Sequence, residues 1–101
     1  MNTPKSDRIS VVLVEDDQGL AQLIAERLEQ EGFSVEHRVD GREACALIIE
    51  SQPDLVILDI MLPGMDGFEI CRRIRAEYTG PVLILTATSL AISGVPRWMV
   101  C

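Results

Sequence analysis

Residues 54–60 read DLVILDI: one acid, four apolar residues rich in β-branching, a second acid at Asp59, and Ile60. A short apolar run of this kind suits a strand buried on both faces, as in a parallel sheet. Just before it, Pro53 closes a stretch in which Ala44, Leu47 and Ile48 form the apolar stripe of a helix. Asp40 and Glu43 have the spacing of a helix cap and its third residue, close to a capping box. After the strand, a loop over residues 61–67 carries Pro63, Gly64 and Gly67. Asp66 and Glu69 repeat the capping spacing and open a third helix, with Ile70, Cys71 and Ile74 facing inward.

Farther out the same alternation continues. Residues 9–14 (ISVVLV) form a first buried strand, ending in the acidic run Glu15, Asp16, Asp17. Leu20, Leu23, Ile24 and Leu28 follow at helical spacing, and Gly32 supplies the stop. Residues 33–39 alternate loosely, as a strand nearer the sheet edge does. Gly80-Pro81 turns the chain into a fourth strand at residues 82–85, closed by Thr86. The order β-α-β-α-β-α-β predicts an α/β fold, a doubly wound parallel sheet with helices on both faces and right-handed crossovers.

The remaining composition excludes several functions. The chain of 101 residues holds one domain, nearly half apolar and a quarter charged. No apolar run approaches the ~18 residues needed to cross a bilayer, and residues 1–10 lack the apolar stretch of a signal peptide, so the expected location is the cytoplasm. With a formal net charge of −7 and no basic stretch, direct nucleic-acid binding by these residues is not expected. Cys45, Cys71 and Cys101 have no zinc-ligand spacing, and His37 is the sole histidine available to them. Cys45 and Cys71 read as small core residues in a reducing compartment.

Function in an open parallel sheet gathers at the carboxyl ends of its strands. Glu15 and Asp16 end the first strand there, Asp59 the third and Thr86 the fourth. A lone acid after a strand is usually a helix cap, and Asp17 reads as one. Three carboxylates converging from distant sequence repel each other unless protons or a cation relieve them. An all-oxygen set selects a hard cation, and Mg2+ fits best. One carboxylate of such a set can act as a nucleophile on phosphorus.

VVLVEDD, DLVILDIMLPGMDG and LILTA, in this order and spacing, resemble the receiver domain of response regulators over residues 9–87. The segment IMLPGMDG is particularly similar to the winged-helix transcription-factor subfamily. The resemblance implies a flavodoxin-like sheet of order 2-1-3-4. It also implies Asp59 as phosphoacceptor, Glu15 and Asp16 as the metal-binding acid pair, and the Met61 backbone carbonyl as a further ligand to Mg2+. Thr86 matches the switch hydroxyl, Ala87 the small residue that leaves room for phosphate, and Pro63 and Gly67 the turn into the third helix. The implied partner is a sensor histidine kinase, and the implied output a DNA-binding domain outside these residues. No enzymatic turnover is expected beyond self-catalysed phosphoryl transfer onto the chain's own aspartate.

The family pattern also asks for a fifth strand ending in lysine, with a helix on each side. That needs roughly 35 residues, whereas residues 87–101 remain, and no lysine follows Lys5. Residues 88–101 read as an atypical tail, apolar and broken by Gly94-Val95-Pro96. A boundary cutting the domain, a shifted reading frame, or a divergent ending with its own strand at residues 97–100 would each produce it; the abrupt change favours the shifted frame. A missing or replaced fifth strand leaves residues 82–85 as an open edge. The expectation is a homodimer or swapped assembly joined near that strand, with the tail lying across a partner because Gly94 and Pro96 oppose a folded-back helix. Two rival functions follow. A haloacid-dehalogenase-like phosphatase needs a second acid two residues after Asp59, where Met61 stands. A non-signalling fragment would simply associate through its exposed core.

Overall fold

The structure is a computed structural model that describes residues 8–60, 62 and 64–85, together with the backbone of 98–100. Its elements run β1 (Ser10–Val14), α1 (Gln18–Gln30), β2 (Ser34–Arg38), α2 (Gly41–Ser51), β3 (Leu55–Asp59), α3 (Gly67–Ile74), β4 (Val82–Leu85) and β5 (Trp98–Val100). The sheet order is β2-β1-β3-β4-β5. The first four strands are parallel and stand in the order 2-1-3-4 that the resemblance implies.

Successive side chains of a strand point to opposite faces, and the two cores divide accordingly. Val12, Val14, Val56, Leu58, Val82 and Ile84 pack with Ala44 and Ile48 of α2 and with Ile70, Cys71 and Ile74 of α3. Val11, Leu13 and Ile57 face the other way, onto Ala21, Ile24 and Leu28 of α1. The helices begin where the acids predict. Asp17, Asp40 and Asp66 are the N-caps, their carboxylates accepting from the N–H groups of Leu20, Arg42 and Glu69. Each such cap supplies about 1 kcal/mol.

Within α1 the predicted stripe splits. Ile24 and Leu28 reach the core, whereas Leu20 is 43% and Leu23 66% exposed. Ala21 is the reason: its small side chain sits closest to the sheet, so the inner stripe runs through positions 21, 24 and 28, and Leu20 and Leu23 flank it.

The chain's end also corrects an expectation. The edge of β4 is not left for a partner: β5 pairs with it antiparallel, Leu85 opposite Trp98, Ile84 opposite Met99 and Leu83 opposite Val100. Gly94 and Pro96 argue against a helix, but a returning strand needs no helical hydrogen bonds. Cys71 is buried in the core as expected, and Cys45 packs half-buried against the same core.

At the opposite end of the sheet Tyr78 locks the turn before β4. It is 1% exposed, and its hydroxyl donates to the Pro53 carbonyl at 2.8 Å. Tyr78→Phe leaves that carbonyl without its donor and is expected to cost about 1–2 kcal/mol in urea unfolding. An unchanged midpoint would show that water replaces the hydroxyl without loss.

Candidate functional site

Parallel pairing of β1 with β3, Val14 opposite Leu58, delivers Glu15 and Asp59 side by side at the carboxyl ends of these strands. One carboxylate oxygen from each of Glu15, Asp16 and Asp59 lies within 4.8 Å of the other two. Glu15 is 5% and Asp59 8% exposed, and Asp16 faces solvent. Asp17 stands apart from the three as the cap of α1.

Several bonds hold the acidic turn after β1. The Glu15 N–H continues the ladder to the Arg38 carbonyl at 3.1 Å. The Glu15 carboxylate accepts the Asp17 N–H, also at 3.1 Å, and the Glu15 carbonyl accepts from His37 Nε2 at 2.7 Å. Sequence reading weighed His37 solely as a zinc partner for cysteines, since its proximity to Glu15 depends on a strand register that spacing alone does not reveal.

Burial is the main force on Glu15. It raises the carboxyl from 4.5 to about 7, assisted by the charge of Asp59, a hydrogen bond with Asp59 and the charge of Asp16, and opposed by the Asp17 N–H. The crowded pair therefore retains a proton on Glu15 near neutrality. Among the described residues, every donor of the cluster is a hard oxygen. The set fits a small hard divalent cation of the Mg2+ kind.

On the far side of Asp59 the chain turns tightly into α3. The Gly67 N–H donates to the Ile60 carbonyl at 3.1 Å. A side chain at Gly67 would put its Cβ 2.9 Å from the Asp59 carbonyl oxygen and 3.2 Å from the Ile60 Cα. Both obstacles are backbone, so glycine is required for α3 to start this close to Asp59. Leu62 and Met65, at 8% and 7% exposure, anchor the same loop in the core. Gly67→Ala is expected to cost about 1–3 kcal/mol, as overpacking against backbone does. A denaturation midpoint equal to wild type would contradict this steric account. Met61, Pro63, Thr86 and Ala87, to which the resemblance assigns roles, lie outside the described residues.

An open α/β sheet with three carboxylates at the ends of two adjacent strands defines a class of site; similarity to known proteins identifies the family. Residues 11–94 match the response regulator receiver domain family. The receiver domain of RstA from Klebsiella pneumoniae, solved in its BeF3-activated form, is 42% identical. It aligns with a TM-score of 0.73 over 77% of this chain and 67% of that one. The non-phosphorylated HemR receiver domain of Leptospira biflexa is 39% identical, with a TM-score of 0.74 over 80% of this chain and 66% of that one. A Francisella response regulator receiver domain is 32% identical, with a TM-score of 0.75 over 80% and 68%. The chain spans about two thirds of the length of each.

This chain belongs to the response regulator receiver domain family. It is a receiver domain of two-component signalling, a family whose role is to accept a phosphoryl group from histidine kinases and phosphotransfer partners, and which binds Mg2+ at an acidic site. Among the described residues no helix is long and apolar enough to cross a membrane.

Proposed function

We propose that Asp59 is the residue that takes the phosphoryl group, and that Glu15, Asp16, Asp59 and the Met61 backbone carbonyl hold Mg2+ for the transfer. The observation that carries this reading is the meeting of three carboxylates within 4.8 Å at the ends of β1 and β3. An Asp59 carboxylate oxygen forms the new bond to phosphorus as the bond from phosphorus to the donor's imidazole nitrogen breaks. When bound, Mg2+ supplies the positive charge that lets these carboxylates and the incoming phosphoryl oxygens share one site. Thr86 and Ala87 serve as the switch hydroxyl and the adjacent gap.

The donor in this reading is a cognate sensor histidine kinase, the setting the cytoplasm, and the output transcription, through a winged-helix DNA-binding domain in the whole protein. The receiver character extends over residues 9–87, with residues 88–101 an atypical tail. The alternative, a non-signalling piece that self-associates, draws on the exposure of Ile9, Leu20 and Leu23. With β4 covered by β5, we place any homodimer on this α1 surface, and light scattering at micromolar concentration distinguishes it from a monomer.

Beryllofluoride, which activates the RstA receiver domain, serves as the test ligand. Calorimetry is expected to show Mg2+ binding that tightens with beryllofluoride, and Asp16→Asn is expected to remove most of it while the fold stays intact. Unchanged Mg2+ affinity in Asp16→Asn would count against the metal assignment.

A further inference from the structure

The peptide that joins Glu15 to Asp16 lies where the β1–β2 ladder runs out. Up to Val14 the two strands pair in register, Leu13 opposite His37 and Val14 opposite Arg38, and the Glu15 N–H adds one more bond, to the Arg38 carbonyl. In a continuing parallel ladder the Glu15 carbonyl would next accept a backbone N–H from β2. It cannot, because β2 ends at Arg38 and the chain turns toward Asp40, the cap of α2. The imidazole of half-buried His37 takes that place, with Nε2 at 2.7 Å from the Glu15 oxygen.

A carbonyl oxygen only accepts, so the proton of this bond belongs to Nε2, and the ring is fixed in that tautomer when neutral. The imidazolium carries the same proton, so the bond does not depend on the charge of the ring. Its backbone is braced in turn, since the Arg38 guanidinium donates to the His37 carbonyl at 2.8 Å. Rotation of the Glu15–Asp16 peptide would swing exposed Asp16 relative to buried Asp59. Among the bonds given above, the His37 contact is the one that ties this peptide's oxygen to a neighbouring strand.

We propose that His37 is a positioning residue for the divalent cation: by holding the Glu15 carbonyl it aims Asp16 at Asp59 and so sets metal affinity. This rests on the metal reading of the acidic cluster. A histidine at this place is legible as functional only from the register that sets it beside Leu13.

The test compares His37→Leu, which removes the donor, with His37→Gln, whose side-chain amide restores an N–H. Mg2+ affinity is measured by calorimetry, and stability by urea unfolding in EDTA. Partners that orient metal ligands typically contribute 10–100-fold to affinity, so His37→Leu is expected to bind Mg2+ about tenfold more weakly. His37→Gln is expected to recover most of that loss, while both variants unfold at similar urea concentrations in EDTA. Wild-type affinity in His37→Leu would overturn the positioning role and leave the metal site standing. Equal losses of affinity in both variants, in step with equal losses of EDTA stability, would make His37 merely structural and overturn it as well. Failure of the wild-type protein to bind Mg2+ would instead overturn the metal reading, and this inference with it.

Discussion

Between pH 5 and pH 7 the affinity of this protein for Mg2+ is expected to rise by roughly two orders of magnitude, then level off. Burial, followed by the charge of Asp59, pushes the Glu15 carboxyl up to about 7, so a cation entering at lower pH must displace a proton. One displaced proton costs about a factor of ten in affinity for each pH unit below that value. The same proton governs stability without metal. A carboxyl that titrates near 7 when folded and near 4.5 when unfolded binds more protons in the folded state between those values. Stability therefore falls as pH rises through that window, by up to roughly 3 kcal/mol. Below pH 4.5 this penalty is absent; above pH 7 it is complete, and bound Mg2+ offsets it. Calorimetry across the range, paired with urea unfolding in EDTA, reads both effects. Glu15→Gln, which cannot ionise, should flatten both slopes. A metal affinity independent of pH from 5 to 7 would show that Glu15 carries no proton at the site.

Asp59→Asn is expected to abolish phosphoryl uptake from acetyl phosphate while leaving the protein folded. The amide keeps the shape of the carboxylate but has no anionic oxygen to attack phosphorus, and its nitrogen is no substitute nucleophile. Because Asp59 is 8% exposed beside Glu15, removing its charge also relieves repulsion. The variant should unfold at the same or slightly higher urea concentration at pH 7, by ~1 kcal/mol at most, since the lost hydrogen bond with Glu15 opposes the gain. Intact mass before and after acetyl phosphate treatment is the measurement. Uptake by the variant equal to wild type would remove Asp59 from the reaction.

The parts of this site written in short-range pattern were legible before any coordinates. Residues 54–60 announce a buried strand, and the acids at 17, 40 and 66 announce helix starts that the structure places at those caps. Glu15, Asp16 and Asp59 follow from the rule that places function at strand ends. What was hidden depends on long-range pairing. A strand at residues 97–100 was one of three readings of the tail, and what selects it is the pairing of residues 98–100 with β4, which no local period shows. Ala21 displaces Leu23 from the core because a small side chain lets α1 approach the sheet, which a stripe of large residues does not reveal. His37 and the raised Glu15 carboxyl share one cause, the register of β1 between β2 and β3, which decides what is buried and what lies within reach.

The central claim is that Asp59 accepts the phosphoryl group at a cation site made by Glu15 and Asp16. Tandem mass spectrometry of the protein after acetyl phosphate and Mg2+, with EDTA as the control, tests it most directly. The account predicts one phosphoryl group per chain, located at Asp59, with uptake suppressed by EDTA. A phosphoryl group located on any other residue, or uptake undiminished by EDTA, would contradict it.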